Sequence, residues 1–261
     1  MSAAALLPCD GAGSGRTIVL IHAGIADRRM WSEHLQALAD EGFRAVAFDL
    51  AGFGEAPVNI EQDAPWFDVI ASVEHAGIAR ATVVGVSWGG AVAQRVAVAA
   101  PQLVSALVLV SSIAPGIEPS AELRAAGAAE EAAMEAEDVD RAVEGSMDAW
   151  LRAGPTPELR RRVAEMQRRA LEVQYSVEEP PPGTDPLSAD GAELEAIAVP
   201  ALIAVGEHDM SDFLDSAKVL AEMIPGAELS VIAGAGHLAP LERPQEFRDL
   251  LVSFLQAHPH V

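Results

Sequence analysis

A single cysteine, Cys9, and a single lysine, Lys218, occur among 261 residues. One thiol cannot close an intrachain disulfide, so the fold is expected to form without an oxidising compartment. Cys9 also lacks the partners of a zinc pattern, and no His-x-x-x-His lies on one helix face, so no metal is expected. Positive charge is scarce as well. Seventeen Lys and Arg face 39 Asp and Glu, a formal net charge of −22. That balance repels a phosphate backbone and an anionic bilayer alike, which excludes nucleic acid and membrane as expected partners. No apolar run reaches the roughly eighteen residues of a membrane span, and the opening Met-Ser-Ala-Ala-Ala-Leu-Leu-Pro lacks a basic stretch and a full apolar stretch. The expectation is a cytoplasmic protein.

Half of the residues are hydrophobic by type and 21% are charged, enough to bury a sizeable core. The length suits one large domain or a domain carrying an insertion. Fifty alanines, and sixteen arginines against one lysine, read as the coding bias of a GC-rich genome and carry no chemical argument.

Periodicity gives alternating strand and helix signals. Thr17 to His22, Phe43 to Asp49, Ala81 to Val86 and Ser105 to Ser111 are short apolar runs of the kind buried on both faces of a sheet. Between them, Met30 to Glu41, Gln62 to Ala76 and Gly89 to Ala100 read as helices, stopped by Gly42, Gly77 and Pro101. Strict alternation with short connections predicts a parallel sheet covered by helices. The pattern breaks near Pro115 and resumes at Pro200. Ala-, Glu- and Arg-rich helical stretches and Pro180-Pro181-Pro182 lie between, which predicts a helical cap over residues 115–199 inserted into a core of residues 1–114 and 200–261. Ala201 to Val205, Phe213 to Met223, Glu228 to Ile232 and Pro244 to Ala257 complete the core as strand, helix, strand and helix.

The strongest chemical signal is Gly85-Val86-Ser87-Trp88-Gly89, placed between a strand and a helix. The nucleophile elbow demands that context: a turn tight enough to need small residues two before and two after a serine held proud of the sheet. The following helix points its free N–H groups at the serine. The alternative is an ordinary glycine-rich turn with an N-capping serine. A serine hydroxyl needs a base, and the base an acid to hold its tautomer. Val205-Gly206-Glu207-His208-Asp209 and Gly234-Ala235-Gly236-His237 each follow a strand, at the sheet edge where open α/β sheets bind ligands. Ser87, Asp209 and His237 therefore stand in elbow order.

With these pieces, and with His22-Ala23-Gly24 and Asp49-Leu50-Ala51-Gly52-Phe53-Gly54 after the first two core strands, the chain resembles capped α/β-hydrolase-fold proteins. Within them it is most similar to the small-molecule esterase, lactonase and enol-lactonase branch. The resemblance covers nearly the whole chain and is specific for fold and triad, much less so for substrate. It implies a mostly parallel sheet flanked by helices on both faces. It also implies a cofactor-independent serine hydrolase that cleaves an ester or lactone through an acyl-enzyme, with Ser87 as nucleophile, His237 as base and Asp209 as acid. Glu207, Asp212 and Asp215 then read as surface or capping residues, and His208 as a candidate to line the site. By the same resemblance the oxyanion donors are the N–H groups of Trp88 and Gly24. Ala23 stands where the family has glycine, which leaves Ile25 as a further donor. Ile25, Trp150 and Leu238 are the candidate substrate contacts, and His22 and Asp49 read as structural.

Other features leave choices open. Gly11 to Gly15 reads as a flexible hairpin turn, with only about Ala3 to Pro8 before it to edge the sheet. His34, His75, His258 and His260 read as solvated. Glu118 to Asp148 carries ten acids, and Arg152, Arg160, Arg161, Arg162, Arg168 and Arg169 follow. Either these are two attracting solvated faces, or one arginine turns inward to clamp a substrate carboxylate. Met134, Met147, Trp150, Met166 and Tyr175 either line a pocket or pack the core. Carbon–carbon bond cleavage or a non-hydrolytic step of small-molecule metabolism by the same triad, and a low-turnover binding protein, are the rival functions.

Overall fold

The computed structural model describes residues 4–260. Its sheet grows from the apolar runs. In chain order the elements are β1 (Cys9–Gly13), β2 (Arg16–Ile21), α1 (Ser32–Asp40), β3 (Phe43–Phe48), α2 (Pro65–His75), β4 (Ala81–Val86), α3 (Trp88–Ala99) and β5 (Val104–Val110). They continue with α4 (Ala121–Glu135), α5 (Val139–Trp150), α6 (Pro157–Gln174), β6 (Ala201–Gly206), α7 (Ser211–Met223), β7 (Glu228–Ile232), α8 (Ala239–Glu242) and α9 (Pro244–Ala257). Seven strands form one sheet in the order β1-β3-β2-β4-β5-β6-β7. All neighbours pair in parallel except β1 with β3. β4, β5 and β6 are buried at every residue, as central strands covered on both faces must be. The chain has the α/β-hydrolase fold.

The first glycine-rich stretch departs from the expected hairpin turn. Cys9–Gly13 is a strand, and it pairs with β3 instead of β2. The Ser14-Gly15 connection therefore crosses the start of β3. A Cβ on Gly13 would lie 2.1 Å from the Phe43 carbonyl oxygen, and one on Gly15 would lie 2.4 Å from that of Gly42. Both glycines also hold positive φ, so the missing side chains are what lets the chain pass. Of the short segment expected to edge the sheet, Ala3 lies outside the described residues.

Between β5 and β6 the described residues hold helices α4, α5 and α6 and no strand. Each begins on a side-chain cap: Ser120 Oγ accepts from Leu123 N, Asp138 from Arg141 N, and Thr156 from Leu159 N. Met134, Met147 and Met166 are buried where these helices pack together and against the core, so they are packing residues. Arg152 pairs with Glu122, Arg160 with Glu144 and Asp148, and Arg168 with Asp140, which joins the oppositely charged helices.

His34 corrects the expectation of a solvated ring. It is fully buried on α1, with Nε2 2.9 Å from the Pro240 carbonyl oxygen. Burial pushes its pKa down to about 4, so the ring is neutral and Nε2–H donates. His258 is half-buried, with Nδ1 2.9 Å from the Phe254 carbonyl, whereas His75 and His260 are exposed.

Candidate active site

Ser87 joins β4 to α3 with φ 54° and ψ −118°, a conformation that L residues adopt only at a cost. The flanking glycines explain how the turn closes. A Cβ on Gly85 would lie 2.1 Å from the Gly89 carbonyl oxygen, and one on Gly89 would lie 2.3 Å from that of His22. Ser87 N donates to Val110 O at 2.8 Å, pinning the turn to the neighbouring strand. Ser87 is thus lifted above the C-terminal edge of the sheet.

His237 follows β7 and Asp209 follows β6. Their loops touch: a Cβ on Gly206 would lie 2.0 Å from the Gly236 carbonyl oxygen. The structure brings the three side chains together. His237 Nε2 lies 2.8 Å from Ser87 Oγ, and its Nδ1 lies 3.0 and 3.1 Å from the two oxygens of Asp209. Asp209 is buried and also accepts from Met210 N at 2.8 Å, which fixes the carboxylate. Because the carboxylate only accepts, His237 carries its proton on Nδ1 and turns a lone pair toward the serine. Glu207 accepts from Gly234 N, Asp212 takes Ser120 N and Oγ, and Asp215 pairs with Lys218, so those acids hold other bonds.

Two neighbours, Phe213 and Glu242, were not evident from sequence as parts of this site, and Trp150, expected as a substrate contact, also packs on the base. The His237 ring packs against Phe213, with centroids 4.3 Å apart, and against Trp150, at 4.6 Å, and these two rings touch each other at 5.9 Å. Trp150 comes from α5 and Phe213 from α7, so both layers grip the histidine. Glu242 accepts from Gly236 N next to His237. Burial pushes the Glu242 carboxyl up, opposed by that N–H. Only its aromatic character hinted at contact for Phe213, and nothing local marks Glu242.

The expected oxyanion donors lie side by side. A Cβ on Gly24 would be 3.3 Å from the Trp88 Cβ. Trp88 N opens α3, where a backbone N–H has no intrahelical partner. His22 stiffens the adjoining loops. Its Nε2 accepts from Leu50 N at 2.9 Å, its Nδ1 donates to Ala23 O at 2.8 Å, and burial holds its pKa down. Asp49 accepts from the backbone N–H groups of Arg28 and Glu55 and pairs with the Arg28 guanidinium.

A cavity of about 230 Å³ opens on Ser87 and His237, lined also by Gly24, Ile25, Trp88, Ala126, Gly127, Glu130, Trp150 and Gln167. Ile25 and Trp150 are therefore in place to touch a substrate. Leu238 is not: its side chain is fully buried in the core, because the chain turns into α8 directly after His237. His208 lines neither this cavity nor its neighbour and is exposed beside Glu207. A second cavity of about 730 Å³ shares Gly24 and Trp88 with the first and extends between Phe53, Pro65 and Tyr175. None of the six arginines from Arg152 to Arg169 lines either cavity, which overturns the carboxylate clamp as an option for those residues. Among the described residues no cluster of His, Cys, Asp or Glu could hold a metal ion, and no helix is long and apolar enough to cross a membrane.

A serine in the turn after β4, in reach of a carboxylate-held histidine on this sheet, is the arrangement of a hydrolase-type enzyme. The chain belongs to the alpha/beta hydrolase fold family, whose model matches residues 16–244. It is similar to a 2-hydroxymuconate semialdehyde hydrolase of Pseudomonas putida, 29% identical over 81% of this chain and 76% of that protein. It is also similar to the carboxylesterase YbfK of Bacillus subtilis, 27% identical over 94% of this chain and 82% of that protein. Among solved structures, a thermophilic esterase from Thermogutta terrifontis superposes with a TM-score of 0.77 at 25% identity, covering 96% of this chain and 93% of its own.

Proposed function

We propose that this cytoplasmic enzyme hydrolyses a carboxylic ester or lactone of a small molecule, with Ser87, His237 and Asp209 as its triad. The observation that carries this reading is His237, 2.8 Å from Ser87 Oγ on one side and 3.0 Å from Asp209 on the other. Ser87 Oγ attacks the carbonyl carbon as its proton passes to His237 Nε2. The N–H groups of Trp88 and Gly24 take the negative oxygen of the tetrahedral intermediate. Collapse breaks the carbon–oxygen bond, and His237 gives its proton to the leaving oxygen. Water, deprotonated by His237, then attacks the acyl-enzyme and restores Ser87. Each step balances with these groups and water. Residues 115–199 act as the cap that closes over the acyl group.

Replacing Ser87 with Ala tests the reading. Turnover of an activated aryl ester is expected to fall by roughly 10⁴-fold or more. A fluorophosphonate is expected to label Ser87 in the unmodified enzyme. Retained turnover in Ser87→Ala sinks the proposal. The likeness to a semialdehyde hydrolase favours one second reading, cleavage of a carbon–carbon bond next to a ketone. Product analysis with a β-diketone beside a simple ester separates the two.

A further inference from the structure

We propose that the cap carries a hydrogen-bond-accepting subsite, built from Gln167 and Glu130, that selects substrates bearing an ammonium or hydroxyl group and rejects carboxylates. The inference rests on the ester-hydrolase reading for what is turned over, and not for what is bound. Gln167 on α6 is only 3% exposed. Its Nε2 donates to Glu130 Oε2 at 2.9 Å, and Ser146 Oγ donates to the same oxygen at 2.6 Å. A carboxylate only accepts, so these bonds fix which end of the amide is nitrogen. Gln167 Oε1 is thereby turned the other way. It is buried and has no hydrogen-bond partner, while its residue lines the cavity that holds Ser87 and His237. A buried acceptor without a partner is a poor arrangement for an empty site and a good one for a site awaiting a donor.

Charge around the entrance points the same way. Asp63, Asp68, Glu131, Glu135 and Glu179 line the outer cavity, and no lysine or arginine lines either space among the described residues. Of the arginines from Arg152 to Arg169, five pair with acids elsewhere and Arg169 donates to the Gly54 carbonyl. Arg152, Arg160 and Arg168 pair across the cap helices, Arg161 pairs along α6, and Arg162 reaches Glu33. Tyr175, at the outer cavity, has its hydroxyl pKa raised by burial and then by Glu130, Glu131 and Glu135. A carboxylate entering here meets like charges and no lysine or arginine. An ammonium meets opposite charge and supplies the hydrogen that Gln167 lacks.

The test uses four methyl esters of a six-carbon acid whose terminal carbon carries ammonium, hydroxyl, hydrogen or carboxylate. Each is titrated by calorimetry into the full-length Ser87→Ala protein, where binding is read without turnover. The ammonium ester is expected to bind about tenfold more tightly than the plain ester, and the carboxylate ester most weakly. Adding Gln167→Leu is expected to bring hydroxyl and plain esters within about twofold of each other. Adding Glu130→Gln, at a partly exposed position, weakens the ammonium ester most. Adding Arg161→Gln, on the exposed face of α6, leaves the order as it was. Equal affinities in the parent protein, a preference for the carboxylate, or an order that survives both cap substitutions overturns the proposal. Turnover of the plain ester by the enzyme with Ser87 intact is a separate readout. Its absence sinks the hydrolase reading and leaves the binding order to stand or fall by itself.

Discussion

Two residues show how an atom-level constraint can outweigh a general preference. Gly89 is the second residue of α3, and within a helix alanine is favoured over glycine by about 1 kcal/mol. Here a Cβ would sit 2.3 Å from the His22 carbonyl oxygen and 2.7 Å from that of Ile21, both backbone atoms of the adjoining strand edge. The clash wins. Gly89→Ala is expected to lose about 3 kcal/mol or more, read as a lowered urea midpoint. His34 gives the second case. Its pKa is about 4 when folded and near 6.5 when unfolded, so the unfolded chain binds the proton first as pH falls. Its contribution to stability is full above pH 6.5 and is lost between about 6.5 and 4. Removing the ring in His34→Gln is expected to flatten the fall in unfolding free energy across that window by about 3 kcal/mol, measured by denaturant titration at both ends. An unchanged slope would mean that the ring is protonated in the fold.

At the scale of elements, the sequence is most legible where burial is uniform. Runs such as Ala81 to Val86 and Ala201 to Val205 are apolar throughout because helices cover both faces, and their strands end within a residue of the expected bounds. Ser87, Asp209 and His237 were legible because the elbow is a local steric pattern and the other two directly follow strands. What stayed hidden depends on partners far along the chain. β1 is a strand because β3 accepts it; His34 is buried because Pro240, 206 residues later, meets its ring. Gln167 meets Glu130, 37 residues away, a pairing that no local pattern marks. Trp150 ends α5 against His237, so in the proposed mechanism α5 positions the base. Trp150→Ala is expected to reduce kcat by about tenfold through a loosened imidazole, with Trp150→Phe recovering most of it. A fall in KM-dependent rate alone, with kcat intact, would assign Trp150 to substrate binding only.

At the scale of the whole molecule the charge of −22 sets two opposed effects against each other. The exposed cap pairs attract, but each contributes about 1 kcal/mol or less, and 39 acids leave most carboxylates without a cation. Repulsion should dominate, so the thermal midpoint is expected to rise as sodium chloride goes from about 10 to 150 mM, where the screening length shortens from roughly 30 to 8 Å. The same field acts on substrates, and it reaches farther than the cap subsite does. For an ammonium-bearing ester, kcat/KM is expected to fall over that salt range, while a neutral ester holds steady and a carboxylate-bearing one gains. Gln167→Leu separates the two contributions, because it removes a short hydrogen bond without altering net charge. The variant is expected to lose the hydroxyl preference at every salt concentration and to keep the salt slope of the ammonium ester. If the slope vanished with Gln167, selection by charge would reside in the cap contact, and the acidic outer cavity would have no part in drawing substrate to Ser87.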